Sequence, residues 1–295
     1  MKTKKMLPML MGMLLVGAGV TAQSESLTVP LSEPGKPYKL EVGLVNGGIT
    51  LIGYEGKDIV VEAQSGSDRK KKDRTSGGNS VEVNVNTNVN ISGGRDRESG
   101  SGMRKLSAAN NGLDVSAQER NNRVTINTDS WKRAVDLVIK VPASGGTFRI
   151  NATNNGDIVI SNINGEMEVS NTNGSISFNN VSGTAIANTV NGNLTGVFKS
   201  VDGKSPMAFS TLNGRVDITF PALVKANIKA KSDRGEVYSD FDVDVDKAPA
   251  KVNRSSEKGM YKLNIEDWIL GRINGGGPEM MLKTMNGNIY IRKAK

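Results

Sequence analysis

Two residue types with versatile side-chain chemistry are missing from this chain, which contains neither cysteine nor histidine. Without cysteine the chain has no disulfide framework, no thiol nucleophile and no cysteine to carry a lipid at a cleavage site. Without histidine it lacks the commonest general base and metal ligand. Together these absences argue against zinc chemistry, and we expect neither a bound metal nor another cofactor.

Aromatic residues are scarce as well, at 4% of the 295 residues. Because Phe, Tyr and Trp are the bulkiest core side chains, their scarcity predicts a thin core built from Ile, Val and Ala. Such a core fits the narrow space between two rows of short strands. Strand stacking must then supply the stability that disulfides supply in many exported proteins.

Glycine, in contrast, is abundant and recurs at a fixed interval of nine residues, at Gly156, Gly165, Gly174, Gly183 and Gly192. Apolar residues follow each glycine by two and four places and precede the next by two, an alternation typical of strands. With Thr172 as the polar exception, these positions are Ile158, Ile160, Ile163, Met167, Val169, Thr172, Ile176, Phe178, Val181, Ala185, Ala187, Val190 and Leu194. The repeat predicts stacked coils with these side chains pointing inward.

Four of the five repeat glycines follow Asn, and Gly183 follows Ser; Asn-Gly tolerates positive φ and suits a corner. A meander of hairpins with Asn-Gly turns is the alternative, but the constant apolar phase favours stacking of like residues. We therefore predict an all-β, single-domain parallel β-solenoid (β-helix) whose coils contain about 18–22 residues and two short strands. In such coils Asn155, Asn164, Asn173 and Asn191 occupy corresponding corners, where stacked amides satisfy one another.

The same alternation of apolar residues around Asn-Gly reappears outside residues 156–192, at Gly47, Gly214 and Gly287. The repeat therefore extends over roughly residues 40–292. The inward residues expected there are Val45, Ile49, Leu51, Leu212, Val216, Ile218, Met285, Ile289 and Ile291.

Residues 1–22 have the pattern of a secretory signal peptide, with three lysines at the start, an apolar stretch over 6–20 and a small-residue cleavage site ending at Ala22. A membrane anchor is the alternative, but the stretch is interrupted by Pro and Gly and is shorter than a span of about 20 residues. We expect cleavage, no stable membrane span afterwards, and a domain of residues 23–295 that is exported to the periplasm, the cell surface or the medium.

Residues 64–112 form a polar insertion with nine basic and five acidic side chains. Its Gly, Ser and charge content predicts long loops around one strand, VEVNVNTNVNI. It is either a solvated insertion or a basic contact for an acidic glycan, lipopolysaccharide or surface phosphate. The candidate ligand-binding residues are Arg69, Lys70, Lys71, Lys72 and Arg74. Nucleic acid is not an expected partner, because no aromatic residues are interleaved with this basic run to stack on bases.

Four aspartates alternate with apolar residues near the C-terminus: Asp240, Asp242, Asp244 and Asp246. On one strand they would project from the same face, about 6.6 Å apart, where they could hold Ca²⁺. The alternative is an exposed acidic strand that neighbouring Lys and Arg neutralise. These four residues are a weak calcium candidate, and the sequence offers no other metal site.

Four segments, taken in order, carry a family resemblance: LVNGGITLIGYEGKDIVVEA, VDLVIKVPASGGTFRINATNNGDIVISNINGEMEVSNTNGSISF, GRVDITFPALVKANIKAKSDRGEVYSDF and INGGGPEMMLKTMNGNIYIRK. They resemble a bacterial family known as "putative adhesins", exported domains of unknown function with a β-solenoid fold. The resemblance covers most of residues 40–295. It implies export and a repetitive β fold, and it assigns a catalytic role to no residue of this chain.

These observations favour a non-enzymatic cell-envelope protein, an adhesin-like binding or scaffold module whose partner is a glycan, another envelope polymer or a protein. One alternative is a polysaccharide-active β-helix enzyme that uses surface carboxylates. Another is a periplasmic sensing or assembly module that acts through the ends of the stack, where strand edges lack partners.

Overall fold

The computed structural model describes residues 25–65, 115–128, 133–246, 251–257 and 260–295, with backbone description alone for residues 25, 65, 251–257 and 260–266. These ranges contain twenty-two strands and no helix, so the all-β class is confirmed. The first eleven strands are β1 (Glu25–Val29), β2 (Tyr38–Asn46), β3 (Ile49–Tyr54), β4 (Ile59–Ser65), β5 (Val115–Arg120), β6 (Arg123–Thr128), β7 (Val135–Pro142), β8 (Ser144–Asn154), β9 (Ile158–Ser161), β10 (Asn164–Asn173) and β11 (Ile176–Asn191). The others are β12 (Leu194–Val201), β13 (Met207–Asn213), β14 (Val216–Phe220), β15 (Ala226–Ser232), β16 (Val237–Ser239), β17 (Val243–Val245), β18 (Lys251–Glu257), β19 (Met260–Glu266), β20 (Ile269–Ile273), β21 (Glu279–Asn286) and β22 (Ile289–Lys293).

Twenty of the described strands belong to one hydrogen-bonded sheet that follows two rows, while β18 and β19 pair only with each other. The first row runs β5, β6, β2, β8, β10, β11, β13, β21, β15, β20, β17. The second row runs β1, β4, β7, β3, β9, β11, β12, β14, β22, β16. The long strand β11 takes part in both rows.

Pairing within the two rows is mixed, so the sheet is not clearly the parallel β-solenoid that the sequence predicted. We call a strand of the first row, together with the strand that follows it in the second row, a coil. The middle pairs are parallel, as in β8 with β10 and β12 with β14. The pairs β5 with β6, β1 with β4 and β4 with β7 at one end are antiparallel, as is the pairing of β20 with β15 and β17 at the other, whereas the second row ends with the parallel pair of β22 and β16.

The spacing of the coils agrees with the sequence repeat. Ile158 pairs with Ile176 and Asn164 with Ser182, an offset of eighteen residues. In the next coil Leu194 pairs with Val216, an offset of twenty-two. The extra residues form the turn between β12 and β13, so the strand phase is kept while the loop lengthens.

The order of the coils in space departs from their order along the chain. The final strands β21 and β22 lie between the β13–β14 coil and the β15–β16 coil. Near the other end, β2 and β3 lie between the β6–β7 coil and the β8–β9 coil. Both pairs of strands are therefore held by strands on either side.

Of the thirteen predicted inward residues, eleven are buried, while Thr172 and Val190 face outward. At these corners the inward residue is one place earlier, at Asn171 and Thr189. Val45, Leu212 and Met285 are exposed for the same reason, with Leu44, Thr211 and Thr284 buried in their place. Leu44 is apolar, whereas Asn171 and the three threonines donate a hydrogen bond to a backbone carbonyl, as Thr189 does to Gly174 at 2.8 Å.

The core contains more aromatic volume than its composition predicts. All six phenylalanines are buried, and four of them form a contact column with ring centroids 5.7–6.4 Å apart. The column consists of Phe178, Phe198, Phe209 and Phe220. Few aromatics are present, but the phenylalanines are concentrated inside, so the expectation of an Ile, Val and Ala core is incomplete.

The repeat glycines allow successive coils to approach closely. A Cβ on Gly156, Gly174 or Gly192 would lie 2.0–2.2 Å from the carbonyl oxygen of the corner glycine in the preceding coil. Of the five repeat glycines only Gly183 has positive φ, at 101°. Close backbone approach, rather than the dihedral angle inferred from Asn-Gly, therefore accounts for glycine at the other positions.

A ladder of asparagine amides runs along one corner. Asn173 donates to Asn154 at 3.1 Å, Asn191 to Asn173 at 2.8 Å and Asn213 to Asn191 at 2.8 Å. Of the predicted corner residues, Asn173 and Asn191 belong to this ladder, and Asn155 donates to Asn46 beside it. Asn164 lies elsewhere, at the start of β10 opposite Ser144 and Ser182.

Candidate ligand-binding surface

The basic residues that the sequence suggested as ligand contacts are Arg69, Lys70, Lys71, Lys72 and Arg74. They lie outside the described residues, as do most of the insertion at 64–112 and the signal peptide at 1–22. In the described part of the chain no helix is long and apolar enough to cross a membrane.

The four aspartates of the weak calcium candidate do not share one strand. Only residues 243–245 of this segment form a strand, and Asp240 and Asp242 precede it. Asp244 forms an ion pair of 2.8 Å with Arg272, and the backbone N–H of Lys293 donates to Asp240 at 3.4 Å. Within the described ranges no group of three or more acidic side chains is placed to hold a metal ion.

Exposed aromatic side chains mark a different part of the same end of the sheet. Trp268 directly precedes β20, which pairs with β15 so that Ala230 lies opposite Ile269. On β15 inward Ile228 and Ala230 alternate with half-buried lysines. The strand alternation therefore places Lys229 and Lys231 on the outer side, next to Trp268.

Two lysines contact the half-buried indole of Trp268. The Lys229 ammonium lies 4.9 Å from the ring centroid and that of Lys283, on β21, lies 6.0 Å away. Lys283 is a neighbour because Lys231 pairs with it across the parallel β15–β21 contact. Such cation–π contacts hold flexible lysine side chains near the ring.

The third lysine is neutralised by carboxylates. Lys231 lies 2.7 Å from Asp267 and 3.4 Å from Asp233. The hydrogen bond to Lys231 lowers the pKa of Asp267, and the same contact raises the pKa of Lys231. In the described part of the chain neither Lys229 nor Lys283 has an ion-pair partner of this kind.

A surface depression of about 580 Å³ adjoins this group, with Lys229 in its wall. Leu270 gives it an apolar surface, and its wall also contains the Arg272–Asp244 ion pair and the carboxylates of Asp246 and Glu279. Apolar and aromatic surface next to a few oriented polar groups is the usual composition of a ligand site. We call Trp268, Lys229, Lys283 and this depression the Trp268 surface.

A second outward aromatic group lies on the other row of strands. The rings of Tyr238 and Tyr290 are stacked with centroids 5.2 Å apart and planes at 10°. Arg292 lies over Tyr290 and binds Asp217 through two contacts, at 2.5 and 3.0 Å. Each tyrosine presents a face to the other, so this stack stabilises adjacent strands and leaves less ring surface for a ligand.

A groove of about 410 Å³ lies farther along the first row. Its two arginines are paired with carboxylates, Arg149 with Glu168 at 2.7 Å and Arg123 with Glu41 at 3.5 Å, while Lys39 and Glu166 form no ion pair among the described residues. Because the paired charges alternate in sign across neighbouring strands, they support strand stacking. The Trp268 surface, in contrast, combines aromatic surface with lysines that lack acidic partners.

Part of this site could be recognised from the sequence. The segment ANIKAKS shows lysines at every second position, which indicates an outward cationic row on a strand. The approach of Trp268 could not be inferred, because it depends on the pairing of β15 with both β20 and β21.

No protein-family model matches this chain, and no curated protein is significantly similar to it. Two solved structures are similar. One is a putative cell adhesion protein from Clostridium sporogenes, with 10% identity, a TM-score of 0.46, and coverage of 92% of this chain and 99% of that chain. The other is a putative adhesin from Bacteroides fragilis, with 11% identity, a TM-score of 0.34, and coverage of 93% and 98%. At these scores neither likeness carries an argument about this chain, and the family resemblance stays an expectation.

Proposed function

We propose that this chain is an exported, non-enzymatic binding protein that holds a glycan polymer of the cell envelope at the Trp268 surface. The observation that carries the proposal is the contact of two lysines without acidic partners with a partly exposed indole, next to a depression. Aromatic rings contact the apolar faces of sugar rings, while fixed polar groups orient the ligand.

The proposed architecture is a short β-solenoid with antiparallel caps. Its support is the eighteen-residue offset that relates β11 to β9 and to β10, together with the close glycine contacts and the asparagine ladder. Strands about 4.8 Å apart give a stiff surface on which outward side chains repeat. A rigid surface of this kind suits an extended polymer, because little conformational entropy is lost by the protein on binding.

A non-enzymatic role agrees with the side chains at the site. The chain has no His or Cys. Three carboxylates line the depression, those of Asp244, Asp246 and Glu279, and Asp244 is engaged by Arg272. A glycosidase needs two carboxylates that flank the scissile bond and act as acid and base or nucleophile. The basic run from Arg69 to Arg74 is a second proposed contact for the same polymer.

Binding of residues 23–295 to an array of envelope glycans tests this proposal. Replacement of Trp268 by Ala is expected to weaken binding about tenfold or more, since loss of aromatic stacking typically costs about 1–3 kcal/mol. Tyr238→Ala, on the other row of strands, is the control and should bind like the wild type. Equal binding by Trp268→Ala would contradict the proposal, and loss in Tyr238→Ala alone would move the site to the tyrosine stack.

A further inference from the structure

We infer that the ligand of the Trp268 surface is an acidic polysaccharide, and that Lys229 and Lys283 together bind its carboxylate groups. This inference rests on the proposed function and specifies its ligand. It follows from a difference among the cations at this end of the sheet, some of which form ion pairs with carboxylates while others do not.

The paired cations are easily identified. Arg272 contacts Asp244 at 2.8 Å, and Lys231 contacts Asp267 at 2.7 Å. Each of these groups already has its anion, so a ligand would have to displace a carboxylate to reach it. Lys231 is also the least accessible of the paired lysines, with its side chain 19% exposed.

Lys229 and Lys283 have a different environment. Among the described residues neither forms an ion pair, and both ammonium groups lie within 6.0 Å of the same ring centroid. An indole attracts ammonium groups weakly through its π face, so a carboxylate can bind them without breaking an existing ion pair. Trp268 therefore acts as a positioning group that keeps two lysine heads close together.

The surrounding charge restricts the kind of anion. Asp233 and Asp267 contact Lys231, which pairs with Lys283 across the strands, and Asp244, Asp246 and Glu279 line the depression with Lys229. These carboxylates would repel a densely charged polymer. A nucleic acid strand needs a positive groove along its phosphates and several stacking aromatics. One tryptophan and two unpaired lysines fit a ligand with sparse charge, such as a polysaccharide with one carboxylate for every one or two sugar rings.

The strand geometry agrees with such a spacing. Lys229 and Lys283 lie on neighbouring parallel strands, β15 and β21, which are separated by about 4.8 Å. Outward side chains on adjacent strands can thus contact successive rings of one extended chain. The depression beside Lys229, with Leu270 in its wall, offers apolar contact to the next sugar ring.

The test compares polygalacturonate with the same polymer after its carboxyl groups have been reduced to neutral alcohols. We expect wild-type residues 23–295 to bind the acidic polymer at least about tenfold more tightly, with an affinity that falls as salt is raised. The double variant Lys229→Gln, Lys283→Gln should lose this preference and bind both polymers alike. The matched control Lys57→Gln, Lys199→Gln removes two exposed lysines elsewhere and should keep the preference.

A variant with Gln in place of Arg69, Lys70, Lys71, Lys72 and Arg74 separates this site from the insertion. The inference would be overturned if that variant lost the preference for the acidic polymer while the Lys229/Lys283 variant kept it. Tighter binding to single-stranded DNA than to polygalacturonate that depends on Lys229 and Lys283 would also overturn it. Equal, Trp268-dependent binding of acidic and neutral polymers would overturn the inference and leave the proposed function standing. Binding of neither polymer by any variant would contradict both.

Discussion

The side-chain amide of Asn171 donates a hydrogen bond of 2.9 Å to the backbone carbonyl of Gly156, fifteen residues earlier and one coil away. The equivalent position in later coils is threonine, where Thr189, Thr211 and Thr284 donate to the carbonyls of Gly174, Gly192 and Gly214 at 2.8–2.9 Å. Threonine needs only its hydroxyl for this contact. Asn171 has in addition a buried side-chain oxygen with no hydrogen-bond partner in the described structure.

Replacing Asn171 with Thr should therefore stabilise the protein. The substitution keeps a donor to Gly156 and removes an unsatisfied acceptor, whose burial costs about 1–3 kcal/mol. We expect the free energy of unfolding to rise by about 1 kcal/mol, measured by urea denaturation. The control is Asn173→Thr, which breaks the exposed amide ladder and should lower stability slightly. A loss of stability in Asn171→Thr would show that the amide is required at this corner.

Gly174→Ala tests the origin of the glycine period. A Cβ at this position would lie 2.0 Å from the carbonyl oxygen of Gly156, a contact that only a backbone shift relieves. We expect a loss of about 3 kcal/mol or more, measured by thermal or urea unfolding. Gly203→Ala is the control, because Gly203 has positive φ but open space around its Cα, and should cost about 1 kcal/mol. A loss at Gly174 no larger than that at Gly203 would contradict close backbone approach as the reason for glycine in the repeat.

Thr189 and Val190 test the strand phase at a corner. Thr189 is buried and donates to Gly174, while Val190 is 39% exposed. Thr189→Val should lower the free energy of unfolding by about 1–3 kcal/mol, because it leaves a carbonyl unsatisfied. Val190→Thr should change it by no more than about 0.5 kcal/mol. A larger loss in Val190→Thr than in Thr189→Val would indicate that Val190 points inward, as the sequence repeat predicted.

Asn122 connects the N-terminal segment to the β5–β6 turn. Its side chain accepts a hydrogen bond of 2.7 Å from the backbone of Glu33 and donates one of 2.8 Å to the carbonyl of the same residue. We expect Asn122→Ala to cost about 2 kcal/mol and to expose residues 30–37 to proteolysis. Asn121→Ala is a matched control, because φ is positive at both residues, 54° and 58°. The cost of placing alanine at positive φ is therefore shared by the two variants and cancels when they are compared. Equal protease resistance of the two variants would contradict this role.

Because Tyr38 is buried, we expect the stability of the protein to depend on pH in the alkaline range. The Tyr38 side chain donates a hydrogen bond to the carbonyl of Pro142 at 2.5 Å, and its burial raises the pKa of its hydroxyl. Above pH about 10, Tyr38 ionises in the unfolded chain but not in the folded one, so stability falls as pH rises. Tyr38→Phe should lower the free energy of unfolding near pH 7 by about 1–2 kcal/mol and reduce its decline between pH 10 and 12. Parallel curves for the two proteins would contradict the assignment.

The strand phase in the middle of the chain could be predicted because each side chain there responds to a local rule. Ile158, Ile160, Ile176 and Phe178 lie at every second position of their strands, and one face of the sheet must exclude water. The corners could not be predicted by the same rule. At Asn171 and Thr189 a polar side chain points inward because a carbonyl of the preceding coil needs a donor, and the local sequence pattern contains no sign of that carbonyl.

By itself, the sequence determined the all-β class, the inward apolar residues of the middle coils and the spacing of the repeat, since all three follow from side-chain alternation and glycine period. Only the tertiary structure decided that β21 and β22 lie between two coils that precede them in the chain, and that the outer strands β1, β5, β17 and β20 pair antiparallel with their neighbours. Similar strands offer similar backbone hydrogen bonds, so a repeat specifies that strands stack but not which neighbour each one takes. The Trp268 surface depends on that choice, because Lys229, Trp268 and Lys283 come together only through the pairing of three separate strands.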